Sequence, residues 1–215
     1  MPSWDAVATL TFDALAAPRK RLTIYRAMSS APGSGPITVT FSKAQSNCQW
    51  IVSQWDGVAT GGVNGAGAIG QVGSNAGDAV NGLAVALAAF ANSGNVAYGA
   101  FAVNRNALAI TPGSGFAEIA EVPSGENTAA DLQAQWATNL NAIAANWSAL
   151  NGGALGVEIQ AGAPPAPVVS VGVTPSQASV PQGGTVQLTA TPRDAGGNPL
   201  PGRVVTWKSS DTAVA

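Results

Sequence analysis

Alternation of apolar and polar residues, interrupted by turn residues, is the feature that most constrains the fold of this chain. A period of two residues is typical of β-strands that bury one face and expose the other. The pattern recurs in WDAVATLTF, RLTIYRAM, ITVTFS and VAYGAFAV, and turn pairs such as Asp56-Gly57 separate the runs. The sequence therefore predicts an all-β chain.

Two of the predicted strands are especially rich in apolar residues. Residues 37–41 place Ile37, Val39 and Phe41 on one face, with threonines opposite. Residues 48–55 follow as a second apolar strand, in which the Cys48 thiol is expected to face inward and to be inert because the chain has no His that could activate it.

The glycine-rich stretch that follows Trp55 gives a weaker signal and predicts only one short strand, near residues 69–72. Another strand is predicted at residues 83–87. Residues 126–149 contain Ala, Leu and Gln, which favour a helix, but their alternation fits two strands joined near residues 139–141 better.

Composition excludes several functional classes. Only 9% of the residues are charged and the net charge is −2, so the chain lacks the basic stripe that nucleic acid requires. The one basic cluster, Arg19 to Arg21, is divided between the two faces of a strand. The sequence contains neither a secretory signal nor an apolar run of the roughly 18 residues that would span a membrane, so no membrane insertion is predicted.

The residues that usually hold metals and cofactors are scarce. With no His and one Cys, the chain has no ligand set for zinc or haem and cannot form an intrachain disulfide. We predict no metal site and no cofactor. A calcium ion bound by scattered loop oxygens, for example near Asp56 or Asp78, remains open because neither residue belongs to a recognisable calcium loop.

Carboxylate positions argue against an enzyme. Glycoside hydrolysis needs two carboxyl groups about 5–9.5 Å apart across a cleft. Glu118 and Glu121 are three residues apart and are predicted to face opposite sides of a strand, and Glu158 lies opposite the apolar face of its strand. We predict a non-enzymatic protein and keep a glycoside hydrolase as the weaker alternative.

Carbohydrate binding is the stronger alternative function. It needs aromatic rings exposed on a sheet face or loop, where sugar rings can stack. The candidate rings alternate mostly with apolar neighbours and are therefore expected in the core: Trp4, Trp50, Trp55, Trp136, Trp147 and Tyr98. Trp55, beside a turn, is the best candidate for exposure, so Trp55 and Asp56 are the candidate ligand-binding residues.

A proline-rich stretch, APPAPVV, divides the chain. We predict a first β-sandwich domain at residues 1–162, a linker at residues 163–167 and a second domain at residues 168–215.

The second segment has strands predicted at residues 169–173, 185–191 and 203–208, and its residues 173–215 read VTPSQASVPQGGTVQLTATPRDAGGNPLPGRVVTWKSSDTAVA. It resembles the first half of a bacterial immunoglobulin-like domain of group 2. The resemblance implies an incomplete sandwich in which Trp207 would lie in the core. We expect either a fragment or strands supplied by another subunit, which would pair at Val204, Val205 and Trp207.

The first segment resembles, more loosely, a jelly-roll β-sandwich of phage structural proteins and modular extracellular bacterial proteins. The matching pieces are RLTIYRAM, ITVTFSKAQSNCQWIVSQWDGV, TPGSGFAEIAEV and GALGVEIQA. The resemblance implies a structural or attachment module on a virion or bacterial cell surface. Its expected partners are neighbouring protein subunits or a host-surface glycan.

Overall fold

The computed structural model describes residues 3–13, 19–29, 35–105, 109–124 and 130–210. The chain divides into two compact units, Met1–Ala163 and Pro164–Ala215. Apart from one short 3-10 helix, Val63–Ala68, every regular element in the described residues is a β-strand, and all the strand pairs are antiparallel. The predicted all-β fold is confirmed.

A sheet with the strand order β3-β8-β4-β7-β6 forms the centre of the first unit, and β5 pairs with β8 beyond this path. Its strands are β3 (Ile69–Ala86), β4 (Val96–Val103), β5 (Thr111–Pro112), β6 (Ala117–Val122), β7 (Asp131–Thr138) and β8 (Ala142–Ile159). The two strands predicted on either side of residues 139–141 are confirmed as β7 and the beginning of β8.

The β3–β8 strand pair is long enough to fold back on itself. It runs from Ile69 opposite Ile159 to Ala86 opposite Ala142, with register shifts between Ile69 and Val72 and on both sides of Val80. A Cβ atom on Gly73 or Gly156, in one half of the pair, would lie within 3.0 Å of the Val85 side chain in the other half. The two halves therefore lie face to face as two layers of a sandwich.

The main core lies between these two layers. On one side, β4 contributes Phe101 and β8 contributes Ala154. On the other side, the second half of the β3–β8 pair contributes Val85, Ile143 and Trp147. All five residues are buried. Burial of this apolar surface is the principal stabilising term of the unit. Trp147 packs edge-on against Phe101, with their ring centroids 6.3 Å apart.

A two-stranded ribbon covers the opposite face of the central sheet. Strands β1 (Asp5–Phe12) and β2 (Lys20–Arg26) pair with each other. Phe12 and Leu22 of the ribbon pack with Ala100 and Leu155 in a second buried cluster. The central sheet therefore has apolar residues on both faces.

Residues 35–56, which we call the open segment, correct the strand predictions at residues 37–41 and 48–55. No strand is formed there. Ile37, Val39 and Phe41 remain 39–47% exposed, and Cys48 is exposed rather than inward-facing. Alternation specifies an extended backbone with two unlike faces, but a strand also needs a partner edge for its hydrogen bonds.

The glycine-rich stretch corrects the prediction in the opposite direction. Instead of one short strand near residues 69–72 and a separate strand at residues 83–87, residues 69–86 form the single 18-residue strand β3. Glycine contributes nothing to an apolar period, so the sequence pattern understated this strand. Its small size is what allows the two layers to approach each other closely.

The second unit contains a two-stranded sheet, β9 (Ser170–Thr174) paired with β10 (Thr189–Arg193). The predicted strand at residues 203–208 is wrong, because no strand is formed there. Trp207, expected in a core, is 52% exposed. Residues 211–215 of the immunoglobulin-like resemblance lie outside the described residues.

Candidate functional site

Trp55 lies in a group of three aromatic rings on the first unit, which we call the ring cluster: Trp55, Tyr98 and Trp136. The centroid of the Trp55 ring is 5.7 Å from that of Trp136, at an interplanar angle of 75°. It is 6.3 Å from that of Tyr98, at 87°. Both contacts are edge-to-face, which is the geometry that the charge distribution of aromatic rings favours.

Strand register brings the other two rings together. Tyr98 of β4 lies directly opposite Trp136 of β7, so both side chains project from the same face of the sheet. On the far side of Trp136, its partner on the edge strand β6 is Ala117. A small residue at that position leaves the outer side of the Trp136 ring uncovered.

Ser53 links the rings by hydrogen bonds. The Trp55 indole nitrogen donates to Ser53 Oγ at 3.0 Å, and the Ser53 side chain is also hydrogen-bonded to the Tyr98 hydroxyl. Burial raises the pKa of Tyr98, and the Ser53 bond opposes this effect. Tyr98 is therefore a neutral hydroxyl at physiological pH, able to donate and accept hydrogen bonds.

The chain just after Trp55 is fixed to the central sheet. Val58 forms a β-bridge with Ala161, and the Gly57 carbonyl accepts a hydrogen bond from the Gly162 amide at 2.7 Å. Asp56, the second predicted ligand residue, is exposed beside Trp55. The cluster therefore joins a fixed end of the open segment to the central sheet.

The expectation that most Trp residues lie in the core is wrong. Trp147 is buried, but Trp4, Trp50, Trp136 and Trp207 each remain at least 36% exposed. Trp55, predicted to be the best candidate for exposure, is half-buried because it packs edge-to-face against its two neighbours. The most accessible ring of the cluster is Trp136, a candidate that sequence reasoning expected in the core because local alternation does not encode cross-strand register.

The carboxylates of β6 also differ from the prediction. Glu118 lies opposite Gln135, and Glu121 lies opposite Gln133. Since Gln133 and Gln135 are two residues apart on β7, the two glutamates share one face of the sheet. A register shift between Glu118 and Ala120 supplies the extra residue that a regular strand would not have.

Glu121 and Glu158 are held by hydrogen bonds within the fold. Glu121 accepts one from the Ile110 amide at 2.9 Å, and its pKa is raised mainly by burial, and less by the nearby carboxylates of Glu118 and Asp131. Glu158 is buried and accepts hydrogen bonds from Asn95 at 2.6 Å and Gln71 at 2.8 Å. These contacts connect strands and loops of the first unit. Both oxygens of the buried Glu158 carboxylate accept hydrogen bonds from the protein itself, so its burial is explained without a bound ligand.

The predicted pairing residues of the second unit differ in exposure. Val204 is 97% exposed. Val205 is half-buried and lines a surface depression of about 260 Å³ together with Thr191, Leu200 and Arg203. The structure therefore does not bring Val204, Val205 and Trp207 onto one paired strand.

Two further findings concern metals and membranes. Within the described ranges, no three His, Cys, Asp or Glu side chains are grouped so that they could hold a metal ion. No helix in the same part of the chain has the length and apolar character needed to cross a membrane.

Comparison with known proteins gives no match: no family model fits the sequence, and no curated protein or solved structure is significantly similar to it.

Proposed function

We propose that this chain is a non-enzymatic structural and attachment module of a phage virion or bacterial cell surface. The first unit makes the attachment contacts, to neighbouring subunits or to a host-surface glycan. The second unit acts as an immunoglobulin-like spacer. The jelly-roll and immunoglobulin-like resemblances of the sequence imply this setting.

The observation that carries the proposal is the character of the open segment. Five of its large apolar side chains, Ile37, Val39, Phe41, Trp50 and Val52, are 39–55% exposed. Its backbone forms no strand, so it has no strand partner within the described residues and can pair with another chain. Extended segments with these two properties can add to the sheet of a partner, combining main-chain hydrogen bonds with side-chain contacts.

The second unit has comparable surfaces. Val171 and Val173 of β9 are exposed, as are Val186 and Leu188 ahead of β10. Exposed apolar faces of this kind favour contact with neighbouring protein subunits.

Immunogold electron microscopy tests the proposed setting directly. Antibodies raised against the full chain are applied to sections of the source cells and to particles purified from their lysates. We expect gold on the cell envelope or on phage particles. Gold confined to the cell interior, with none on particles, would reject the attachment role.

A hydrolase assay tests the non-enzymatic part of the proposal. The full chain is incubated with soluble neutral polysaccharides, and the release of reducing ends is measured. We expect no release above that of a heat-denatured sample. Release that is lost in both Glu118→Gln and Glu121→Gln would favour the glycoside hydrolase alternative, because the two carboxylates share a face.

A further inference from the structure

We propose that the ring cluster binds a neutral polysaccharide, with the exposed face of Trp136 stacked on a pyranose ring and Trp55 bounding the site. This inference rests on the attachment function proposed above and deepens it by naming the chemical class of one partner. The predicted ligand residues Trp55 and Asp56 become parts of a larger site whose stacking ring comes from β7.

Packing within the cluster shows where a ligand must lie. Centroid separations of 5.7 and 6.3 Å are those of rings already in van der Waals contact. No space for an organic cation is left between Trp55 and either neighbour, so an aromatic cage for quaternary ammonium groups is disfavoured. A ligand must therefore approach the outside of the cluster, where Trp136 is 36% exposed.

The surroundings of Trp136 favour an extended ligand. The ring projects from a sheet face near the edge strand β6, beside the exposed Ala117. A flat ring at a sheet edge can stack on the apolar C–H face of one sugar unit of a polysaccharide. The polysaccharide can then continue past the sheet edge on both sides of that unit. A small ligand would instead need a concave site that buries most of its surface.

Charge and hydrogen-bonding groups favour a neutral sugar. Uncharged polar side chains lie in and beside the cluster: Ser53 and Tyr98 hydrogen-bond within it, and the exposed amide of Gln54 can donate to and accept from the hydroxyls of a carbohydrate. Asp56 is exposed beside Trp55, and Glu118, the carboxylate nearest Ala117 in sequence, lies on the opposite face of the sheet. A carboxylate beside the site disfavours acidic glycans by repulsion.

The site is also preorganised. Trp55 is held by its hydrogen bond to Ser53, by two ring contacts, and by the bridge of Val58 to Ala161. Side chains fixed before binding lose little conformational entropy on complex formation. Rigid aromatic side chains are accordingly effective anchors.

Affinity gel electrophoresis of the full chain tests the inference. The gels contain hydroxyethylcellulose, xylan, galactomannan, laminarin or amylose, and one further gel contains heparin as an acidic control. We expect at least one neutral polysaccharide to retard the wild-type chain and heparin not to do so. Trp136→Ala should raise the dissociation constant obtained from the retardation by about tenfold or more, equivalent to about 1.4 kcal/mol.

Two further variants make the result specific. Trp4→Ala removes a more exposed Trp outside the cluster, 47% against 36% for Trp136, and should leave retardation within about twofold of wild type. Trp136→Phe keeps an aromatic face and should retain more binding than Trp136→Ala. Circular dichroism melting of each variant verifies that it is folded, and Trp136→Phe keeps the inference testable if Trp136→Ala does not fold.

Each remaining outcome counts against the inference. It is overturned if no neutral polysaccharide retards the chain, if Trp4→Ala is as damaging as Trp136→Ala, or if heparin alone binds. Ring-dependent binding of tetramethylammonium, measured by Trp fluorescence, would replace the sugar with a cation. A negative gel with gold on particles would reject the sugar site alone, whereas gold confined to the cell interior would reject the attachment role.

Discussion

The glycine-rich β3–β8 strand pair and the open segment show opposite relations between sequence and structure. The strand pair has a weak apolar pattern in β3, yet its two strands are the longest among the described residues and they enclose the main core. The open segment has the clearest alternation of large apolar residues, yet it forms no strand. Alternation therefore indicates which residues can be extended, whereas small residues at the contact positions indicate where layers can pack.

The largest expected difference between these regions comes from deleting one aromatic ring in each. Phe101 is fully buried against the folded-back β3–β8 strand pair, and Phe41 in the open segment is 47% exposed. We expect Phe101→Ala to lower the free energy of unfolding by about 3–5 kcal/mol, and Phe41→Ala by less than about 0.5 kcal/mol. Urea denaturation followed by circular dichroism measures both, and equal losses would break the comparison.

Removing one buried hydrogen-bonding group should have the next largest effect. Asn95 donates to the buried Glu158 carboxylate and accepts from the Ala161 amide. Asn95→Ala leaves both groups short of a partner, so we expect a loss of about 1.5–3 kcal/mol in the free energy of unfolding. Asn47→Ala, at an exposed position of the open segment, is the matched control, and an equal loss there would contradict this reading of the Asn95 contacts.

Adding one methyl group tests whether glycine allows the two layers of the β3–β8 strand pair to pack closely. A Cβ on Gly156 would lie 2.8 Å from Ile143 Cδ1 and 2.9 Å from Val85 Cγ1, whereas a Cβ on Gly35 would meet nothing within 4 Å. We expect Gly156→Ala to cost about 1–3 kcal/mol through overpacking. Gly35→Ala should be neutral or stabilising by less than about 1 kcal/mol. Thermal melts of the two variants compare them, and a neutral Gly156→Ala would show that the layers are not closely packed.

The smallest expected effect is the change of stability with pH, to which Glu121 of strand β6 contributes. Its folded pKa is raised above the ordinary value of 4.5, so its favourable contribution is fully present below that value and is lost as pH rises through the folded pKa. The melting temperature should therefore increase as pH falls from neutral towards 4.5. Glu121→Gln keeps an oxygen for the Ile110 amide and should flatten this increase; an unchanged slope would assign the effect to another group.

Much of the fold could be predicted from the sequence, and so could Trp55 and Asp56 of the candidate site, but the grouping of Trp55 with Tyr98 and Trp136 could not. The β-strand character of β4, β6 and β7 follows from local alternation. The face shared by Glu118 and Glu121 depends on a bulge, and the proximity of Tyr98 and Trp136 depends on the register between β4 and β7. Both are set by contacts between strands that are distant in sequence, which a local period does not encode.

Hydrogen–deuterium exchange of the full chain, resolved by residue, tests the central comparison most directly. We predict that amides of residues 37–41 exchange at nearly the rate of an unfolded peptide, while those of β4 and of residues 154–159 in β8 are strongly protected. Protection of residues 37–41 equal to that of β4 would contradict the account, because it would mean that the open segment is a paired strand in solution.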